Sequence, residues 1–246
     1  MKKKLLAITI VLLTAAAAAC GIYINDYYHA EAEALECVAQ PAGEVTVVEE
    51  EGQVVFLPEK AEAGMIFYPG GKVEYESYAP LMNACAERGI LCVLVEMPAN
   101  LAVLDMDAAD GIIQQINEEY GEEHGEIDSW YMAGHSLGGS MAASYIAENQ
   151  EDFAGLILLA AYSTADISDT DLEVLSIYGE EDKVLNMEKY EEYRINLPED
   201  MNELIIEGGC HAYFGKYGMQ DGDGEPAITQ DEQIDITADA VAGLIE

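Results

Sequence analysis

The sequence has few positively charged residues. Of its 246 residues, 10 are Lys or Arg and 48 are Asp or Glu, which gives a formal net charge of -38. A nucleic-acid-binding protein needs a basic surface to neutralise phosphates, so this charge excludes nucleic acid as a partner. It also disfavours anionic polymers as substrates. Disorder is excluded as well, because hydrophobic residues make up 50% of the chain and suffice for a core.

Cysteine is scarce and irregularly spaced. No two cysteines have the CxxC spacing of a zinc site, and their number is too small for a disulfide framework. They are Cys20, Cys37, Cys85, Cys92 and Cys210. The acidic, glycine-rich residues 221–225 allow a calcium site or a plain turn as interpretations, but their spacing lacks the EF-hand register. We therefore expect no metal.

One long apolar run stands at the start of the chain. Lys2, Lys3 and Lys4 precede residues 5–24, which contain no charged residue. A helix of about 20 such residues can cross a bilayer, and its positive flank stays in the cytoplasm. We favour an uncleaved membrane anchor. The alternatives are a signal peptide cleaved after the alanines 17–19 and a lipid-modified amino terminus at Cys20.

Each of these three fates places the rest of the chain outside the cytoplasm. The sequence therefore predicts three regions. Residues 1–24 are the signal or anchor, residues 25–43 are a polar linker, and residues 44–246 form one globular domain. We expect this domain to be monomeric.

From residue 45 onward, short β-rich runs alternate with helical stretches. The β-rich runs lie at 45–48, 54–57, 65–68, 90–95, 130–133, 156–160, 174–178 and 203–206, and the helical stretches at 75–88, 105–120, 137–148, 188–195 and 234–245. This alternation predicts an α/β fold with a mostly parallel, twisted sheet of about eight strands and helices on both faces. Ligands of such folds bind at the carboxyl ends of the strands.

A nucleophile-elbow pattern follows the fifth of these strands. The sequence Gly-His-Ser-Leu-Gly places Ser136 between a strand and a helix, with glycine two residues before it and two after it. The turn is so sharp that these flanking residues must be small, and it lifts the serine hydroxyl clear of the backbone. The amino terminus of the next helix also offers free N–H groups to a developing oxyanion. Ser136 is therefore the candidate nucleophile.

A serine nucleophile needs a base, and the chain has four histidines. His135 adjoins Ser136 but leaves the elbow in another direction, so we expect a packing role for it. His29 lies in the predicted linker and His124 in an acidic loop. His211 follows the last strand in the sequence Gly-Gly-Cys-His. Since this loop stands at a carboxyl strand end, His211 is the candidate base.

The base needs a carboxylate that holds its tautomer. Asp182 stands in the turn after the 174–178 strand, where we expect the two preceding glutamates to be solvated. We therefore choose Asp182. The resulting order, Ser136, Asp182, His211, is the order found in α/β-hydrolases and differs from both protease orders.

At this point the chain resembles the α/β-hydrolase superfamily, in particular its small members without a cap, related to dienelactone hydrolases and carboxylesterases. The resemblance extends from Gly64 to the carboxyl terminus and implies the α/β-hydrolase fold. About a dozen residues separate the strands at 156–160 and 174–178, too few for a cap domain. The motifs are Tyr-Pro-Gly-Gly-Lys at 68–72, Gly-His-Ser-Leu-Gly-Gly at 134–139, Tyr-Gly-Glu-Glu-Asp at 178–182 and Gly-Gly-Cys-His at 208–211.

The resemblance also implies an oxyanion hole. Its donors would be the Leu137 N–H and an N–H of the loop after the 65–68 strand. That loop has Pro-Gly where the family commonly has His-Gly, so the second donor is Gly71 or Lys72, and we favour Gly71. We expect Gly70, Lys72 and Tyr162 to border the substrate. Lys72 is either a partner for a substrate carboxylate or a solvated loop lysine.

Together these residues predict a serine hydrolase that cleaves carboxylic ester bonds of small substrates through an acyl-enzyme. It needs no cofactor. Two alternatives stay open. One is an amidase or peptidase with the same triad, and the other is a non-catalytic, anchored module that binds envelope components. The presence of all three triad residues favours an enzyme.

Overall fold

The computed structural model describes residues 25–124 and 127–245, together with Thr9, Thr14, Gly21 and Tyr23. Cys20 and nearly all of the run 5–24 lie outside the described residues. Among the residues that are described, no helix has the length and apolar character needed to cross a bilayer. The membrane anchor stays a prediction from the sequence.

Eight strands form one sheet. They are β1 (Thr46–Glu50), β2 (Gln53–Leu57), β3 (Ala63–Tyr68), β4 (Ile90–Val95), β5 (Trp130–His135), β6 (Gly155–Leu159), β7 (Glu173–Gly179) and β8 (Asn202–Ile206). Their spatial order is β1-β2-β4-β3-β5-β6-β7-β8. The pairs β1/β2 and β2/β4 are antiparallel, and the other five pairs are parallel. The predicted mostly parallel sheet is confirmed.

Six α-helices accompany the sheet within the described residues. They are α1 (Ala32–Ala39), α2 (Ala79–Ala86), α3 (Ile112–His124), α4 (Leu137–Glu148), α5 (Met187–Tyr193) and α6 (Gln230–Ile245). One apolar cluster joins Phe67 of the sheet to α2 and α6, and a second joins Ile66 to α3 and α4. Because Ile66 and Phe67 are successive residues of β3, they point to opposite faces. Helices therefore cover both faces, as the sequence predicts.

The central strands are apolar throughout because both faces are covered. Every residue of β3, β4, β5 and β6 is buried. Residues 160–172 connect β6 directly to β7, and no cap domain is inserted in this part of the chain. The predicted fold without a cap is confirmed, and the carboxyl ends of β5, β6 and β7 stay uncovered by a second domain.

Two segments differ from the sequence-based expectation. The helix predicted over 105–120 begins only at Ile112, because Gly111 has a φ of 77°, which a right-handed helix cannot contain. Residues 25–43, predicted as a linker, contain α1 and a β-bridge between Tyr28 and Val73. Ala34 of α1 is fully buried, so this segment packs on the domain.

Candidate active site

Ser136 occupies the sharp turn between β5 and α4. Its φ is 52° and its ψ is -119°, a conformation that costs a residue with a side chain about 1–3 kcal/mol. The two elbow glycines, Gly134 and Gly138, lack a side chain, which lets neighbouring backbone segments approach them closely. A Cβ on Gly138 would overlap the carbonyl oxygens of Tyr68 and Pro69, and one on Gly134 would lie 2.6 Å from the backbone of Gly138. The elbow thus depends on contact between β3, β5 and α4.

His211 and Asp182 form a buried pair. The Nδ1 atom of His211 lies 2.8 Å from the Oδ2 atom of Asp182. The other carboxylate oxygen accepts hydrogen bonds of 2.8 Å each from the amides of Val184 and Leu185. Both oxygens are therefore fixed, and the carboxylate is placed to accept a hydrogen bond from the N–H at Nδ1. That tautomer leaves Nε2 of His211 with a free lone pair.

Nε2 of His211 is buried and has no hydrogen-bond partner among the described residues. The imidazole of His135, which adjoins Ser136, lies 4.5 Å from the imidazole of His211 between ring centroids. The structure therefore brings Ser136, Asp182 and His211 to one edge of the sheet. It shows no hydrogen bond between Ser136 and His211, and such bonds commonly tighten only when substrate is bound.

Asp223 connects the two segments that carry this pair. Its carboxylate accepts hydrogen bonds from the amides of His211 at 3.2 Å and Ala212 at 2.8 Å, and from the amide of Lys183 at 3.3 Å. Residues 221–225 thus include a carboxylate that binds backbone amides. In the described part of the chain, no three His, Cys, Asp or Glu residues are grouped to hold a metal ion. Sequence reasoning missed this role of Asp223.

The loop after β3 leaves one amide available. Within residues 70–74, four amides donate hydrogen bonds inside the protein: Gly70 to the Tyr78 hydroxyl, Lys72 to the Asn100 carbonyl, Val73 to the Gly70 carbonyl and Glu74 to the Tyr28 carbonyl. The Gly71 amide donates to no described atom. A Cβ on Gly71 would lie 2.8 Å from the Leu137 side chain, so the loop touches the start of α4.

The Leu137 amide likewise has no acceptor among the described residues, because it opens α4. Two N–H groups are therefore unpaired among the described residues: that of Leu137, which follows Ser136, and that of Gly71, whose loop contacts the Leu137 side chain. The Lys72 amide is bound to Asn100 at 2.7 Å, which favours Gly71 over Lys72 as the second donor.

A family model described as the alpha/beta hydrolase family matches residues 64–235. The chain belongs to the alpha/beta hydrolase family. No protein of curated function matches the sequence. Among solved structures, a predicted CIB-like hydrolase from Thermoplasma acidophilum is similar, with a TM-score of 0.56 and 16% identity over 81% of this chain and 98% of that one.

Est1E from Butyrivibrio proteoclasticus is similar in the same way. Its TM-score is 0.56, and the identity is 14% over 82% of this chain and 99% of that chain. At such low identity, both likenesses are likenesses of fold. Neither likeness assigns a role to a site residue of this hydrolase.

His135 of the hydrolase belongs to a buried polar network. Its Nδ1 lies 2.7 Å from the Tyr78 hydroxyl, which also accepts the Gly70 amide at 3.1 Å. One hydrogen bond therefore joins the hydroxyl to the imidazole, and its direction is set by the tautomer of His135. Burial, together with the nearby His211, lowers the pKa of His135 well below its usual value. His135 stays neutral and links the loop after β3 to the elbow, and the sequence contained no signal for Tyr78 in this network.

We expect this histidine to make stability fall with acidification. In the unfolded chain His135 binds a proton near pH 6.5, whereas in the folded protein it does not. The contribution of His135 to the free energy of unfolding is therefore complete above pH ~6.5 and is lost as the pH falls below that value. The free energy of unfolding of the parent should therefore drop relative to that of His135→Gln, by up to ~1.4 kcal/mol per pH unit. Urea unfolding of both proteins between pH 7.5 and 5 measures the difference. A constant difference would contradict the prediction.

The three residues predicted to border the substrate have different surroundings in the hydrolase. Gly70 is buried, and a Cβ on it would lie 2.7 Å from the Tyr78 hydroxyl. The Lys72 ammonium lies 2.9 Å from the Asp26 carboxylate, so it pairs with the amino-terminal segment. The carbonyl of Tyr162 accepts a hydrogen bond from Ser140, which places this residue beside the first turn of α4.

The thiol next to His211 and the other histidines have different surroundings. Burial, together with the charge of Asp223, raises the pKa of the Cys210 thiol to about 12, so the thiol is protonated at neutral pH. His29 is exposed beside Glu74, and His124 ends α3. Among His29, His135 and His211, whose side chains are described, only His211 forms a buried pair with a carboxylate.

Proposed function

We propose that this protein is a serine hydrolase that cleaves carboxylic esters of small substrates. Ser136 would be the nucleophile, His211 the base and Asp182 the carboxylate that orients it. One observation carries the proposal: a buried histidine is held by a carboxylate through Nδ1, while its Nε2 is unpaired at the edge of the sheet where the elbow presents Ser136. A serine hydroxyl at such an elbow becomes a strong nucleophile only when a neighbouring base, held in the correct tautomer, can take its proton.

The mechanism starts with proton transfer. Nε2 of His211 takes the hydroxyl proton of Ser136 while Oγ attacks the ester carbonyl carbon. The carbonyl oxygen becomes an oxyanion and accepts hydrogen bonds from the amides of Gly71 and Leu137. The imidazolium then returns the proton to the leaving oxygen, so that the alcohol departs and an acyl ester of Ser136 remains. A water molecule then gives a proton to His211 and attacks this ester, and the imidazolium returns that proton to Oγ of Ser136 as the carboxylic acid leaves.

The surroundings of the site support small and uncharged substrates. In the described part of the chain, the direct connection from β6 to β7 places no second domain over the strand ends, which favours short acyl chains over long ones. The net charge of -38 repels anionic substrates. Lys72, whose charge could offset this, is paired with Asp26.

The test is hydrolysis of p-nitrophenyl esters from acetate to palmitate by the full chain. We expect turnover that falls with acyl length, because an open site gives little binding energy to a long chain. A fluorophosphonate probe should label Ser136 in the parent. The matched variant Ser136→Ala should show neither turnover nor labelling.

A parent protein without turnover and without labelling would refute the proposal and favour a binding module. Turnover of p-nitroanilides at rates similar to those of the esters would instead assign an amide substrate to the same triad. Both assays use the same preparation of the parent protein. Its circular dichroism spectrum shows whether the protein is folded, which separates a folding defect from a lack of activity.

A further inference from the structure

The amino-terminal segment of residues 26–39, called here the N-terminal strap, lies outside the part matched by the family model. It contacts two loops at the edge of the candidate site. One is the loop 70–74, which contains Gly71. The other follows His211 and includes Lys216. The sequence predicted a linker here, so a role for these contacts was not foreseen.

Tyr28 is the central contact of the strap with the loop 70–74. Its amide donates to the Lys72 carbonyl at 2.7 Å, and its carbonyl accepts the Glu74 amide at 2.9 Å. The Ala30 amide donates to the Glu74 carboxylate at 2.8 Å. Together with the ion pair between Lys72 and Asp26, these bonds add a short extended segment beside the loop.

These bonds hold a residue whose backbone is strained. Lys72 has a φ of 61°, a left-handed conformation that costs a residue with a side chain about 1–2 kcal/mol. Its amide is fixed by Asn100, its carbonyl by Tyr28 and its ammonium by Asp26. Two of these three restraints come from the N-terminal strap. Because Lys72 follows Gly71 directly, these restraints limit how far the backbone of Gly71 can move.

The other end of the strap is fixed to the segment after His211. The Glu31 amide donates to the Lys216 carbonyl at 2.9 Å. The Lys216 ammonium is buried between the carboxylates of Glu33 and Asp231, and the Glu33 contact measures 3.1 Å. The Tyr28 hydroxyl also accepts the Asp221 amide at 3.0 Å. The strap therefore cannot move without breaking contacts on both sides of the site.

We propose that the N-terminal strap positions the Gly71 amide for the oxyanion, and that Tyr28 is its main positioning residue. The inference rests on the proposed function. An oxyanion donor is effective only when it is fixed before charge develops, so a loosened loop lowers kcat more than it changes KM. The strap adds this rigidity from a part of the chain that precedes the family region.

The test compares Tyr28→Pro with Tyr28→Ala in the full chain. Both variants lose the phenol ring, but only proline also loses the N–H that binds the Lys72 carbonyl. We expect kcat for p-nitrophenyl acetate to be at least about tenfold lower in Tyr28→Pro than in Tyr28→Ala, with KM within about twofold. Tyr28→Ala is therefore the matched control, because it loses the same ring and keeps the N–H.

A second readout does not depend on activity. Hydrogen exchange at the amides of Lys72, Val73 and Glu74 should be faster in Tyr28→Pro than in Tyr28→Ala. Equal kcat and equal exchange in the two variants would overturn the inference. If the parent itself has no turnover, the proposed function fails, and faster exchange would still support the contact between strap and loop.

If the Tyr28→Pro protein does not fold, Glu74→Ala tests the inference instead. This variant removes the acceptor of the Ala30 amide and leaves the backbone of the loop unchanged. Its kcat should fall at least about threefold, with faster exchange of the loop amides. A kcat at the parent level would then overturn the inference.

Discussion

Asp182→Asn should lower kcat by roughly 10⁴, with the protein still folded. Asparagine has the shape of aspartate, and its oxygen can keep the hydrogen bonds from Val184 and Leu185. Its amide nitrogen would then face Nδ1 of His211 and donate to it. This forces the histidine proton onto Nε2, the atom that has to accept the proton of Ser136. The base is lost although the geometry is retained.

The measurement is kcat for the best p-nitrophenyl ester, with the active fraction determined by fluorophosphonate titration. Glu181→Gln is the matched control, because Glu181 lies in the same turn and is solvent-exposed. It should keep kcat within about twofold, as surface charge changes usually do little. If Asp182→Asn retains more than a tenth of the parent kcat, the orienting carboxylate lies elsewhere.

Gly138→Ala should lower the free energy of unfolding by about 3 kcal/mol or more, because it overpacks the elbow. The added Cβ would overlap the carbonyl oxygens of Tyr68 and Pro69. These are backbone atoms at the end of β3, so no side-chain rotation can relieve the overlap. Either α4 or the loop that carries Gly71 has to shift, and hydrolysis should be lost as well. Urea unfolding followed by circular dichroism gives the value.

Gly243→Ala tests the same change without the overlap. Gly243 lies in α6, and a Cβ on it would meet no atom within 4 Å. Alanine is the better helix former by about 1 kcal/mol, so this variant should be at least as stable as the parent. A Gly138→Ala protein that loses less than about 1 kcal/mol would show that the elbow can relax.

The strands could be predicted because each is a short apolar run bounded by turn residues. β4 begins and ends at the residues predicted for it, Ile90 and Val95. Ser136 was identified from a local pattern, since the elbow needs glycines at fixed positions. Asp182 and His211 could be selected because each follows a strand of a parallel sheet. The carboxyl ends of such strands lie at one edge, so residues that are distant along the chain are close in space.

Other features have no local signature. Asp223 binds backbone amides, and nothing in the sequence distinguishes it from the other acidic residues. Tyr78 reaches His135 across 57 positions of the chain, and Tyr28 pairs with Val73 through an isolated bridge. Such contacts depend on how the helices, strands and loops pack against one another. Hydrophobic periodicity predicts the individual elements but not this packing.

The buried ammonium of Lys216 joins the two ends of the described chain. Glu33 lies 183 positions before it, and Asp231 lies 15 positions after it, in the last helix. The contact between these three residues cannot close until the chain has been synthesised through Asp231. Contacts of such long sequence separation carry a high loop-closure entropy and form late in folding. The end of the strap at Glu33 would therefore dock after the end at Tyr28, and a growing chain would contain Ser136 before this second contact of the strap is complete.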